Sequence, residues 1–245
     1  MKPLLCSLLL LFAFSINAQA PMPLAHGSVP GEPHHHLKIE NEYVRAYYVE
    51  VPPHEDTLLH QHDHDYLFVT LGDTEVMNAV LGKPEVKLTL KDREVRFTRG
   101  GFAHIARNLS DKPFRNVTIE LLHAQGEARN ECGLVIPGQG AANCDPPFGI
   151  AWADTQFETS EATLDLVWLL ENGKHVESPS KLAFLVVGLG GPQVKINAKG
   201  KSPKTLGEGE VEWFDPGSVV QFSHEGGAAQ FLKLTFKDSA LRSRP

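Results

Sequence analysis

EYVRAYYVEVPPHEDTLLHQHDHDYLFVTLG, residues 42–72, aligns without a gap against SEATLDLVWLLENGKHVESPSKLAFLVVGLG, residues 160–190. Further along, REVRFTRGG (93–101) matches GEVEWFDPGS (209–218), and each copy closes on an alternating stretch, FRNVTIELL from Phe114 and AQFLKLTF from Ala229. Apolar residues recur at every second position in these runs, the period of a half-buried strand. Glycine and proline punctuate the chain throughout, and no long amphipathic helical pattern stands out. A repeat of this length is a whole domain, not a solenoid unit. The expectation is an all-β chain of two similar domains.

Working outward, residues 126–158 are rich in Gly, Pro and Asn and read as a connector. It carries Cys132 and Cys144, the two cysteines left if Cys6 departs with a leader. An even pair at short spacing in an exported chain reads as a disulfide. Two free thiols in a metal site are the alternative, disfavoured because no Cys or His pair lies beside them at zinc-finger spacing.

The leader expectation rests on MKPLLCSLLLLFAFSINAQA (1–20), where one lysine precedes an apolar run and small residues follow. The run is too short for a membrane span, and cleavage is expected after Ala18 or Ala20, with Ala18 preferred because Pro21 follows the second site. A buried N-terminal helix is the competing reading. The chain carries a net charge of −7, one unit more negative without Lys2, and holds no basic tract. That argues against a nucleic-acid partner. Expected organisation is a signal peptide at 1–18, a first domain at 37–125, the connector at 126–158 and a second domain at 159–240, in a secreted or periplasmic protein with no membrane span after cleavage.

His60 and His62 are two apart on one predicted strand and so share a face. His104, on a distant strand after the Gly100–Gly101 turn, supplies a third imidazole. Three neutral nitrogens plus water or a carboxylate suit Fe, Mn, Zn, Cu or Ni. The competing reading is a histidine-decorated surface loop with Asp63 and Asp65 as a solvated turn.

The first copy resembles the cupin family. HEDTLLHQHDHDYLFVTLG (54–72) resembles its first motif, Gly-x5-His-x-His followed by a Glu and a Gly, and RGGFAHIARN (99–108) resembles Pro-x-Gly-x2-His-x3-Asn, with Gly101, His104 and Asn108 on the family's Gly, His and Asn. His54 stands at the leading glycine, Arg99 at the proline, and no Glu follows the first two histidines. The resemblance implies two jelly-roll (double-stranded β-helix) barrels. It also implies a divalent transition metal in the first, and a fourth ligand at the family's Glu position. Counted forward from His62, that position falls on Tyr66 or Leu67; counted back from Gly72, on Asp65. Asp65 shares a face with Leu67, Val69 and Leu71, and the counterparts Ala183, Leu185, Val187 and Leu189 are all apolar, which reads as a lumen row. Asp65 is therefore preferred, then His64, then Tyr66, with a bulge near Asp63–His64.

In the second copy Ser178, Ser180 and Val220 replace the three histidines, so that barrel is expected to be metal-free, with His175 and His224 as surface or turn residues. His34–His36 read as an edge segment entering the first barrel, or as a metal-capturing tail. His54 reads as a solvent-facing turn residue. Asn116, Thr118 and Glu120 form a polar face, expected to meet solvent, with a polar lumen as the alternative; Arg45 and Tyr47 pose the same question. Asn108 and Asn116 head glycosylation sequons. The function expected is a metal-dependent cupin, an oxygenase or other metalloenzyme acting on a small organic molecule, with a homodimer compatible. The alternative is a non-catalytic secreted binder of metal or a small ligand.

Overall fold

In a computed structural model, residues 27–144, 151–177 and 179–237 are described. The expected leader, with Cys6, Ala18 and Ala20, lies outside them, as does Ser178. The described chain is almost wholly β, with a single 3-10 turn at Val29–Gly31.

The first half makes two five-stranded sheets. One has the order β1 (Gly27–Ser28), β4 (His60–His62), β9 (Phe102–Asn108), β6 (Thr74–Val80), β7 (Val86–Leu90). The other has the order β2 (His35–Glu40), β3 (Val44–Val51), β10 (Phe114–Leu121), β5 (Asp65–Thr70), β8 (Val95–Thr98). Val49, Val51 and Phe114 from the second sheet pack against Val76, Leu90 and Ala106 from the first, which closes the pair into a barrel.

The second half repeats the plan. One sheet runs β11 (Ala128–Asn130), β12 (Ala151–Thr159), β13 (Ala162–Leu169), β20 (Ala229–Phe236), β15 (Phe184–Gly188), β18 (Val211–Phe214). The other runs β14 (Lys174–Glu177), β19 (Val220–Ser223), β16 (Val194–Ala198), β17 (Lys204–Leu206). The repeat extends to backbone conformation: the aligned Gly101 and Gly217 have φ of 86° and 88°, a left-handed turn that only glycine adopts freely.

The largest apolar cluster lies between the two barrels. Val44, Leu67, Val69, Val117 and Ile119 of the first meet Leu164, Leu185, Val187, Leu232 and Leu234 of the second, all nearly inaccessible to solvent. This corrects the lumen assignment of the Leu67–Val69–Leu71 row and of its counterpart Ala183–Leu185–Val187–Leu189. Both rows are apolar because each barrel buries the other's outer surface. On β5 the lumen face is the opposite parity, Tyr66 and Phe68. The same logic corrects the polar face of β10. Its Val117, Ile119 and Leu121 cover the second barrel, so Asn116, Thr118 and Glu120 turn into the first barrel, where each is buried.

The segment expected as a connector contributes strands β11 and β12 to the second barrel's sheet, and the loop between them is anchored. Cys132 and Cys144 are disulfide-bonded, with Cα atoms 5.6 Å apart. Asn130 Oδ1 accepts from the Ile136 amide at 2.8 Å, and the Phe97 amide donates to Val135 at 2.9 Å, fastening the closed loop to the edge of the first barrel.

Candidate metal centre

Strand alternation and register bring the site together. His60 and His62 leave the same face of β4 and are 1% and 2% exposed. Strand β9 runs antiparallel to β4 with His60 directly opposite His104, so the third imidazole lies on that face too. Ring centroids are 4.6 Å apart for His60–His104, 5.1 Å for His60–His62 and 5.3 Å for His62–His104. The histidines expected from sequence are thus neighbours.

A fourth imidazole joins them. His35, the first residue of β2, has its ring 4.8 Å from that of His60, and ligand nitrogens of His35, His60 and His62 all lie within 4.8 Å of one another. Of the run His34–His36, the middle member alone points inward. His36 is exposed and His34 Nδ1 lies 3.1 Å from the Glu50 carbonyl. Sequence reasoning gave His35 no role in the centre. Alternation along β2 from His35 inward to His36 outward, with Glu32 three residues before His35, is the signal that marks it.

In three of the four rings, those of His35, His60 and His104, one nitrogen is occupied. His35 Nδ1 lies 2.5 Å from Glu32 Oε2, His60 Nδ1 lies 2.8 Å from the Leu58 carbonyl, and His104 Nδ1 lies 2.7 Å from Asn78 Oδ1. An acceptor on Nδ1 fixes the proton there and leaves a lone pair on Nε2. His60 Nε2 and His104 Nε2 are buried with no hydrogen-bond partner among the described residues. His62 Nδ1 is 3.5 Å from Glu120 Oε1; neither His62 Nδ1 nor Glu120 Oε2 has a hydrogen-bond partner among the described residues, and Arg45 Nη1 lies 3.9 Å from Glu120 Oε2. Orphaned buried polar atoms are costly. A bound cation would satisfy them, so the donor set fits a transition metal.

Burial holds these rings neutral. It lowers the His60 pKa to about 4 and that of His62 to about 3, with His35 as a further cause in both; His104 is lowered as well, by burial and then by His60. Neutral imidazoles are the metal-binding form. Burial pushes Glu120 up, while it opposes the lowering that His35 imposes on Glu32.

Asp65 faces away from this group. Its Oδ2 accepts from Arg99 Nη1 at 2.7 Å and its Oδ1 from the Gly100 amide at 3.0 Å. The lumen-facing expectation for Asp65 fails on parity. Between His62 and Asp65 the chain crosses from one sheet to the other, so the change of face comes from a corner and not from a bulge. Gly100 seats that corner: a Cβ there would overlap the His64 backbone, and the Gly101 amide donates to the His62 carbonyl at 2.7 Å. Of the other candidates, Tyr66 stacks on His62 with centroids 4.1 Å apart and hydrogen-bonds Thr98. His64 is half-buried at the corner.

The other histidines and polar residues sort by burial. His54, at φ 60°, is exposed and pairs with Asp111 at 2.9 Å. His175 is half-buried beside Glu177 at 2.7 Å, and His224, expected as a surface or turn residue, lies in the turn between β19 and β20, where it is 3% exposed and bonded to the Gly227 carbonyl. Tyr47 is buried with an unpartnered hydroxyl, whereas Arg45 reaches out to Glu40 at 2.7 Å. Both sequon asparagines are buried, 1% exposed for Asn108 and 4% for Asn116, so neither can accept a glycan in the folded protein. In the second barrel Phe184, Phe214, Phe222 and Phe231 fill the interior, with Val220 among them at the His104 position.

The histidines line a cavity of about 390 Å³ that runs along the first barrel between apolar walls. That volume suits a small organic ligand.

No family model matches the chain, and no curated protein sequence does. Solved structures do match. AerE from Microcystis aeruginosa is 10% identical with a TM-score of 0.56, over 84% of this chain and 98% of that one. A cupin 2 conserved barrel domain protein from Leptotrichia buccalis is also 10% identical, with a TM-score of 0.55, over 83% and 88%. Salicylate 1,2-dioxygenase from Pseudoaminobacter salicylatoxidans, seen with gentisate, is 11% identical with a TM-score of 0.56, over 82% and 69%. At these identities the likeness establishes the fold alone, a pair of cupin-type jelly-roll barrels.

Proposed function

We propose that the first barrel binds one divalent transition metal and a small organic molecule, and that the protein is a metal-dependent enzyme of the oxygenase kind. The observation that carries this is the pair of buried, unpartnered nitrogens, His60 Nε2 and His104 Nε2, each on a ring whose other nitrogen is held by an oxygen. His60, His62 and His104 would hold the ion, with His35 as the fourth nitrogen in place of Asp65. Such an ion supplies Lewis-acid or redox chemistry to a ligand beside it.

The chain's own groups do the rest. Leu58, Asn78 and Glu32 orient the imidazoles, a device that sharpens metal affinity. Glu120, buried, 3.5 Å from His62 Nδ1 and 3.9 Å from Arg45 Nη1, can hold a proton at Oε2, which makes no hydrogen bond among the described residues. Tyr66 and Phe102 wall the histidines and exclude bulk water. The Cys132–Cys144 bond and the leader-like residues 1–18 support export to an oxidising compartment.

Elemental analysis of the purified protein, followed by an oxygen-electrode screen with small aromatic and aliphatic compounds, tests the reading. Bound metal with substrate-dependent oxygen uptake is expected. Bound metal with no turnover of any compound would leave a binding protein and overturn the enzymatic reading.

A further inference from the structure

The cavity has a chemical character beyond its histidines. Val76, Leu88, Leu90 and Phe114 make its far end apolar. Its midsection offers uncharged polar groups, Asn116 and Thr118, already hydrogen-bonded to each other at 2.8 Å. Two cationic side chains line it, and each faces a carboxylate. Arg96 Nε donates to Glu94 Oε1 at 2.7 Å. Arg99 Nη1 donates to Asp65 Oδ2 at 2.7 Å, its Nη2 donates to the Gly126 carbonyl at 2.6 Å, and its guanidinium lies 4.9 Å over the Phe97 ring. No lysine or carboxylate lines the cavity among the described residues.

An anion entering this space would lose hydration and find both cations engaged, an arrangement that disfavours a buried charge. A neutral molecule would gain apolar burial and could still give or take a hydrogen bond at Asn116 or Thr118. We infer that the first barrel selects uncharged, largely apolar molecules bearing a hydroxyl or carbonyl oxygen, and discriminates against carboxylates. This rests on the lumen being the ligand site, as proposed above. It does not rest on the metal.

The matched probes 2-naphthol and 2-naphthoate share a ring system and differ in charge at neutral pH. Calorimetric titration of both into the protein as isolated, repeated after chelator treatment, reads the inference with and without metal. Metal content of the same samples judges the metal reading separately. We expect naphthol to bind at least about tenfold tighter than naphthoate in chelator-treated protein. Leu88→Trp, which fills the apolar end, should weaken naphthol. Glu94→Gln, which releases Arg96, should raise naphthoate affinity and leave naphthol unchanged. Equal or tighter binding of naphthoate by the unaltered protein, no binding of naphthol, naphthol binding indifferent to Leu88→Trp, or naphthoate affinity indifferent to Glu94→Gln would each overturn it.

Discussion

The centre is built from imidazole nitrogens, two of which, His60 Nε2 and His104 Nε2, are buried without a hydrogen-bond partner among the described residues. His60, His62 and His104 are ordinary residues until burial strips their solvent and, for His60 and His104, a neighbouring oxygen claims the other nitrogen. His35→Ala separates the four-nitrogen centre from a carboxylate-completed one: it should lower metal affinity at least about 10–100-fold, whereas Asp65→Asn should leave metal content unchanged. Competition with a chelator measures both. The three histidines were legible because two-apart spacing on a strand and a distant matching motif need no knowledge of packing. Asp65 was misplaced because the row it shares with Leu67 is apolar on account of the second barrel, and a row of apolar residues does not say which neighbour covers it. His35 was missed because a run of three histidines looks alike at every position until alternation turns one inward. The pKa values add a test. His60 and His62 titrate below their free value in the fold. The unfolded chain therefore takes up protons first as pH falls. Metal-stripped protein should hold its stability above pH ~6.5 and lose it between about 6.5 and 4, by up to ~1.4 kcal/mol per pH unit for each histidine. Urea melts across that range check the slope, and a flat profile would contradict the buried, neutral rings.

Among the elements, the corner between β4 and β5 and the disulfide loop carry the most weight. Gly100 packs against the His64 backbone, so Gly100→Ala must push that corner aside. It should cost about 1–3 kcal/mol and reduce metal retention, because the same corner carries His62. Thermal melts and metal content read the two effects. The Cys132–Cys144 link spans a separation of 12 residues. Its replacement by serines should destabilise by about 3 kcal/mol, checked by urea denaturation. Strand identity was readable from period-2 patterning, and the paired glycines at 101 and 217 made the repeat explicit. The polarity of β10 was not readable in the same way. Asn116, Thr118 and Glu120 alternate with apolar residues as in a strand with one face in water, and only the presence of the second barrel sends the polar face inward.

At the scale of the molecule, the two barrels share their largest core, so they should unfold together. All three tryptophans, Trp152, Trp168 and Trp213, lie in the second half, while the clustered His35, His60, His62 and His104 lie in the first. Tryptophan fluorescence and metal release should therefore trace one urea transition. Leu67→Ala, at the shared surface, should lower that midpoint by about 2–5 kcal/mol worth of stability. The two barrels divide the work of packing: the second interior is filled with phenylalanines, and its apolar outer face completes the wall of the first. The central claim is a single metal held by histidines of the first barrel, and metal content per chain tests it most directly. Plasma mass spectrometry on the protein, reconstituted with divalent transition metals and dialysed, should give close to one equivalent for the unaltered chain. His60→Ala and His104→Ala should lose most of it, and His175→Ala should keep it. Full occupancy in both His60→Ala and His104→Ala, or no bound metal in the unaltered chain, would contradict the account.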